Sequence, residues 1–403
     1  MTELQSQSEQ IMPRTKAYQE MIARSLLSKG NNKRLKAAIE KAKRGEEVTL
    51  AYIGGSITHG AGANPLPSGC YAYRSYADFK TRFGRSGGPI RFIKAGVGGT
   101  PSELGMIRYE RDVLRDGAVQ PDIVIVEFAV NDADDETNGA CYESLVLKAL
   151  SAPNKPAVIL LFSVFESDWN LQDRLAPVGS HYGLPMVSIK DAVTEQFRMT
   201  PDEGGIISKE QFFADIYHPT NAGHAIMADC LGWLFEETDR SDENQEDITL
   251  DLPPVIGNDF VDVRLLDRAS DTEIAAIAEG GFSQTDFELQ NAEMDDDSHG
   301  TPQFPNNWMH TGDSGSAGFA MTIRCRSLLL VYKNTGSDEY GSAEIRIDGK
   351  LVGTADSHAV KWTRCHAVLL HRSEQTEEHT VDIRMKAGHE EKRFTILGFG
   401  YVE

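Results

Sequence analysis

Hydrophobic and polar positions alternate in two different ways along the chain. Between residues 32 and 44, Leu35, Ala38, Ile39 and Ala42 recur at helical spacing among lysines and arginines, and Gly45 follows, which predicts an amphipathic helix with a stop. The next apolar runs, at 48–53, 90–95, 123–128, 157–162 and 185–189, are short, β-rich and separated by stretches long enough for a helix. Strands alternating with crossover helices predict an α/β fold with a parallel sheet covered on both faces. After a helical stretch at 222–235 the pattern changes. Residues 236–251 are dominated by acids, and Pro253-Pro254 ends them, which predicts a linker. Beyond it, runs at 319–323, 328–332, 343–347, 367–370, 379–383 and 394–399 alternate or are β-branched and are divided by Gly, Asp and Asn turns, the pattern of a β-sandwich. The expected organisation is a helical segment over 1–45, an α/β domain over 46–236, an acidic linker over 237–256 and a sandwich of jelly-roll type over 257–403.

Charge and composition narrow the partners. Across 403 residues, Lys+Arg 40 against Asp+Glu 61 gives a net charge of −21, which repels phosphate backbones and anionic headgroups, so neither nucleic acid nor a membrane surface is an expected partner. The apolar run around Leu160 is far shorter than the roughly 18 residues that span a bilayer, which predicts a soluble protein. Residues 1–20 are polar and lack the apolar stretch of a secretory signal, which predicts a cytoplasmic one. The five cysteines are widely spaced with no CxxC pair, so free, buried thiols are expected, with Cys325 and Cys365 both on strand-like runs. The acidic patch Asp295-Asp296-Asp297 lacks the spacing of a calcium loop and is expected to be solvated.

In an open parallel sheet the chemistry sits at the carboxyl ends of the strands. The first such strand runs into Gly54-Gly55-Ser56-Ile57-Thr58-His59-Gly60, where two glycines permit a sharp turn that exposes a serine hydroxyl. After the second strand comes Gly96-Val97-Gly98-Gly99-Thr100, which can bring a backbone N–H close to a ligand. A dinucleotide fingerprint is the competing reading there, but the spacing and the later ribose-binding acid are missing. The third strand ends in Glu127-Phe-Ala-Val-Asn131-Asp132, where an asparagine amide can face a developing oxyanion. Near the end of the domain stands Asp215-Ile-Tyr-His218, in which an acid three residues before a histidine can hold the imidazole as a general base. Metal binding by Asp215, His218 and His224 competes with that reading but lacks a further ligand at helical spacing, and His224 alone reads as a helix-face residue.

Serine, glycine, asparagine and Asp-x-x-His, in that order and each after a predicted strand, resemble the four blocks of the SGNH hydrolases, also called GDSL-like esterases, over about residues 46–236. The resemblance implies a three-layer α/β/α domain with Ser56 as nucleophile, His218 as general base and Asp215 orienting it. The oxyanion hole it implies is the N–H groups of Ser56 and Gly99 with the amide of Asn131. No metal and no organic cofactor is implied. Two positions depart from the usual blocks: Gly55 stands where an aspartate usually precedes the serine, and Ala129 where a glycine usually lies two before the asparagine. The Gly-Gly-Ser-Ile-Thr-x-Gly-x-Gly-Ala stretch, Tyr73-Arg74-Ser75-Tyr76 and the trailing sandwich look like bacterial carbohydrate acetylesterases, in particular the mannan acetylesterases of carbohydrate esterase family 17, whose members carry a sandwich resembling a carbohydrate-binding module.

The expected function is therefore removal of O-acetyl groups from plant mannan or glucomannan oligosaccharides. His59 and Arg74 are candidate donors to sugar hydroxyls, Trp169 a candidate stacking face, and Trp308 a candidate cover over the site from the second domain, whereas Trp362 reads as core. The rival readings are a xylan acetylesterase or broad short-chain esterase on the same residues, and a carbohydrate-binding protein without catalysis. The sequence leaves homo-oligomerisation open.

Overall fold

The computed structural model describes residues 15–85, 88–270 and 274–403, so the first fourteen residues of the polar amino-terminal stretch lie outside the described residues. The chain divides into two compact units. One comprises residues up to Gly105, Tyr109–Asn258 and Glu293–Gly300, and the other Met106–Arg108, Asp259–Ala292 and Thr301–Glu403.

The first unit is a six-stranded sheet, with β1 (Leu26–Ser28), β2 (Val48–Gly54), β3 (Ile90–Gly96), β4 (Ile123–Glu127), β5 (Ala157–Phe162) and β6 (Met186–Ser188) in the order β1-β6-β5-β4-β2-β3. All neighbours are parallel except the edge pair β1–β6. β2, β4 and β5 are buried at every position, which is why they read as continuous apolar runs. The helices in chain order are α1 (Lys16–Arg24), α2 (Lys33–Lys43), α3 (Ser56–His59), α4 (Leu66–Gly69), α5 (Tyr71–Phe83), α6 (Ser102–Asp112), α7 (Ala140–Leu150), α8 (Gln172–Tyr182), α9 (Ile189–Val193), α10 (Lys209–Phe212) and α11 (Asn221–Arg240). Among them α2 buries Leu35, Ala38, Ile39 and Ala42, the stripe the periodicity predicts.

The acidic stretch behaves differently from a free linker. Helix α11 continues through Glu236 and Glu237 to Arg240, where i,i+4 pairing of Arg240 with Glu236 supports it. The residues after it are held to the first unit: Asn32 and Asn244 exchange backbone-to-amide bonds, Arg34 pairs with Asp247, and the N–H groups of Val255, Ile256 and Gly257 donate to the buried Glu143 carboxylate. Acids that cannot form a core can still meet buried or basic partners, a pairing that composition does not show. Likewise Asp295 is no solvated loop residue. Its carboxylate accepts from Arg115 and from the Lys94 N–H, and the segment Glu293–Gly300 belongs to the first unit.

The second unit is all antiparallel. It contains β7 (Arg264–Leu266), β8 (Ala275–Ala278), β9 (Asn291–Ala292), β10 (Thr301–Pro302), β11 (Trp308–His310), β12 (Phe319–Asn334), β13 (Ser342–Ile347), β14 (Lys350–Asp356), β15 (Arg364–Met385) and β16 (Phe394–Val402). The eight-stranded sheet has the order β11-β16-β12-β15-β13-β14, with β7 on β16 and β8 on β12. The runs expected as separate strands at 319–323 and 328–332 are one strand, as are those at 367–370 and 379–383, because bulges carry the chain on where a turn was expected. Trp362, expected in the core, is 46% exposed. All five cysteines are free and buried; Cys325 and Cys365 lie on adjacent strands but face Glu377 and Lys333 in register, not each other. Among the described residues no helix is long and apolar enough to cross a membrane.

Candidate active site

Three adjacent strands deliver three loops to one edge of the sheet. Gly54, the last residue of β2, lies in register with Gly96 at the end of β3 and with Glu127 at the end of β4, so the loops carrying Ser56, Gly99 and Asn131 start side by side. Glycine is required where they crowd. A Cβ on Gly55 would lie 2.2 Å from Asn131 Oδ1, and one on Gly96 would lie 2.1 Å from the His59 N–H nitrogen. The Gly-Gly-Ser departure from the usual aspartate therefore has a steric cause: the Asn131 amide occupies the space a side chain at position 55 would need. Gly99 stands at φ +66°, a left-handed turn conformation suited to glycine.

Ser56 opens α3, and the histidine that meets it comes from a tight turn between α10 and α11. The turn is closed by a bridge between Phe213 and Pro219 and by the Ala214 N–H donating to the His218 carbonyl. Inside it, Asp215 Oδ1 accepts from the N–H groups of Tyr217 (2.7 Å) and His218 (2.9 Å), while Asp215 Oδ2 lies 2.8 Å from His218 Nδ1. The other ring nitrogen, His218 Nε2, lies 3.0 Å from Ser56 Oγ. Burial pushes the Asp215 carboxyl up, but the hydrogen bonds from the His218 ring and the two backbone N–H groups outweigh it and hold it below the ordinary aspartate range. An ionised Asp215 keeps the proton on Nδ1, which leaves Nε2 free to accept the serine proton.

Beneath α3 lies a polar network that the sequence reading left without a role. The fully buried Glu127 accepts hydrogen bonds from Ser163 Oγ and from Thr58 Oγ1 (3.3 Å), and Thr58 Oγ1 lies 2.8 Å from the Tyr71 hydroxyl. Burial pushes the Glu127 carboxyl up to about 7, with the Ser163 and Thr58 hydroxyls opposing it. A carboxyl whose folded value is raised holds its proton longer in the fold than in the open chain. Stability is thus undiminished below the ordinary value of 4.5 and falls as pH rises from there to about 7. The full loss is about 3 kcal/mol. Glu127→Gln, which cannot ionise, is expected to shrink the stability difference between pH 5 and pH 8 by about 2 kcal/mol in denaturant titrations. An unchanged difference contradicts this assignment.

The other sequence-predicted residues separate. His59 meets Glu293: its Nε2 contacts the Glu293 carboxylate and lies 3.1 Å from the Glu293 N–H. Arg74 donates from Nε to the Gly69 carbonyl (2.7 Å). His224 is fully buried with both ring nitrogens engaged, by the Tyr71 N–H and the Ala61 carbonyl, and burial pushes it down to about 4; it is a neutral structural histidine. Trp308 is 2% exposed in the core of the second unit, with Nε1 donating to Glu279, so it offers no open face to a ligand and the expectation of a cover is corrected. It sits on β11 opposite Ile396, and an apolar strand position won over the turn-rich sequence around it. Trp169 is 38% exposed and stacks on Phe165, whose ring meets Tyr217 edge-on at 5.1 Å; Tyr217 and Ile216 are exposed beside His218. Tyr217 and Ile216 lie inside the Asp-x-x-His motif itself, and two large apolar side chains in a polar turn were the signal for this rim.

Residues 52–226 match the model of the GDSL-like Lipase/Acylhydrolase family. No curated protein sequence matches the chain. Among solved structures it is similar to a two-domain esterase (CEX) active on acetylated mannans, with 26% identity and a TM-score of 0.78 over 95% of this chain and 99% of that one. The same esterase co-crystallised with mannopentaose gives 26% identity and a TM-score of 0.77 over 95% of this chain and 98% of that one. The strand-end serine, the motif order and these likenesses converge: residues 52–226 carry a GDSL-like lipase/acylhydrolase domain, and the chain is a carboxylic ester hydrolase.

Proposed function

We propose that this chain is a serine carbohydrate esterase that removes O-acetyl groups from mannan- or glucomannan-derived oligosaccharides, with Ser56, His218 and Asp215 as its triad. The observation that carries the reading is the continuous hydrogen-bond relay from Ser56 Oγ to His218 to Asp215. Likeness along nearly the whole chain to an esterase active on acetylated mannans supports the substrate class.

In this reading Ser56 Oγ bonds to the acetyl carbonyl carbon as its proton passes to His218 Nε2. The carbonyl oxygen takes up the negative charge and is met by the N–H groups of Ser56 and Gly99 and by Asn131 Nδ2. Collapse breaks the bond to the sugar oxygen, which receives the proton from His218, and acetyl stays on Ser56. Water then attacks in the same way, giving its proton to His218, which returns it to Ser56 Oγ as acetate leaves. Neither step calls on a metal or an organic cofactor.

The rim of Trp169 and Tyr217 is an amphipathic surface of the kind that stacks on sugar rings. Trp169→Ala is expected to raise KM for acetylated oligosaccharides by about tenfold, roughly 1.4 kcal/mol, and to leave a small aryl acetate within about twofold. Equal effects on both esters contradict a sugar-stacking role. The whole reading is tested by following acetate release from acetylated manno- and xylo-oligosaccharides, position by position, by NMR. Selective loss from the mannan series is expected. Equal rates on both make the protein a broad acetylesterase, and binding without acetate release makes it a carbohydrate-binding protein.

A further inference from the structure

The loops of Gly99 and Asn131 are joined by a buried carboxylate next to Asn131. Asp132 is fully buried; its Oδ1 accepts from the Ser102 N–H (2.7 Å) and its Oδ2 from the Ser102 hydroxyl (2.8 Å). Ser102 is the first residue of α6 and stands three positions after Gly99. A second link runs in parallel, where Glu103 accepts from the Glu136 N–H (3.2 Å), and Arg174 donates to the Asp132 carbonyl. The Asn131 amide has no such support of its own, since Oδ1 is buried without a hydrogen-bond partner. Its place is set by the backbone, with the Asn131 and Asp132 N–H groups both donating to the Phe128 carbonyl (3.0 and 3.2 Å), and by close packing on Gly55.

We propose that Asp132 is a positioning residue: by accepting both donors of Ser102 it locks the Asn131 loop to the start of α6 and so aims the Asn131 amide at the oxyanion. This rests on the proposed role of Asn131. A carboxylate suits the place because both Ser102 partners are donors, and an asparagine there turns an N–H toward one of them. Burial and then the Asp135 charge push the Asp132 carboxyl up to about 7, while the Ser102 bonds and then the Arg174 charge oppose them, so losing Ser102 removes the two largest supports of the ionised form. A residue that only held the fold together would lower stability without singling out the oxyanion step.

The test is a double-mutant cycle on acetate release with Asp132→Asn, Asn131→Ala and the pair. Asp132→Asn is expected to lower kcat about 20-fold with KM within about twofold, and by less than about threefold when Asn131 is already alanine. Ser102→Ala, which keeps the backbone N–H, is expected to lower kcat about fivefold and to lose that effect in the same background, and it carries the test if Asp132→Asn does not fold. Multiplicative losses in both backgrounds, or an unchanged kcat with a lowered melting temperature, overturn the proposal. An Asn131→Ala enzyme with wild-type kcat overturns the oxyanion role itself, and this proposal with it.

Discussion

Replacing Ser56 by alanine is expected to lower kcat for an acetate ester by about 10⁴-fold or more. The substitution deletes one oxygen from the first residue of a short helix, and alanine is the better helix former, so the fold is left as it was. The Glu127–Thr58–Tyr71 network that supports the helix from below does not involve the serine hydroxyl. Oligosaccharide affinity is therefore expected to stay within about threefold of wild type, because the removed atom acts on the transition state and not on the bound sugar. Acetate release and direct binding measured on the same preparation separate the two quantities. Retained turnover contradicts the assignment of the nucleophile.

His218→Ala carries the second large effect, expected at roughly 10³- to 10⁴-fold in kcat. His218 is the only side chain hydrogen-bonded to both Ser56 Oγ and Asp215 among the described residues, so no neighbour replaces it as a proton acceptor. Asp215→Asn is expected to cost at least about 10²-fold, since an amide no longer favours the proton on Nδ1. The wild-type Asp215 carboxyl is held below its ordinary range. The orientation it gives is therefore present above the ordinary aspartate value and lost only as pH falls through the lowered one. A His218→Ala enzyme that releases acetate at near wild-type rate contradicts the general-base role; titration curves of wild type and variant on one ester provide the comparison.

How much of this was legible in the sequence depends on which contacts are local. The order of serine, glycine and asparagine is readable because a parallel sheet brings the carboxyl ends of its strands to one edge, so motifs distant in sequence meet without any pairwise signal, while Asp-x-x-His arrives on the turn between α10 and α11. The Asp215–His218 contact is equally local, three residues apart within one turn. Glu127, Asp132 with Ser102, and His59 with Glu293 were not readable. Each joins side chains from separate loops or strands, at separations from 30 to 234 residues, and no period or spacing encodes such a pair. Trp308 and Trp362 changed places between surface and core because Trp308 sits among turn residues yet pairs on β11, whereas Trp362 read as a strand residue but lies in the bend just before β15. The acidic stretch after α11 read as a linker because composition counts charges, whereas Arg34 and the N–H groups that meet Glu143 determine where those residues rest.

On the proposed triad, acetyl passes through one oxygen atom, Ser56 Oγ. The direct test is to mix the enzyme with an activated aryl acetate, quench within a turnover, digest, and locate the label by mass spectrometry. One acetyl group is expected on the peptide containing Ser56, accumulating further in Asp215→Asn if deacylation slows, and none in Ser56→Ala. Acetyl on a different residue, or full turnover with no acetylated peptide at any quench time, contradicts the role of Ser56.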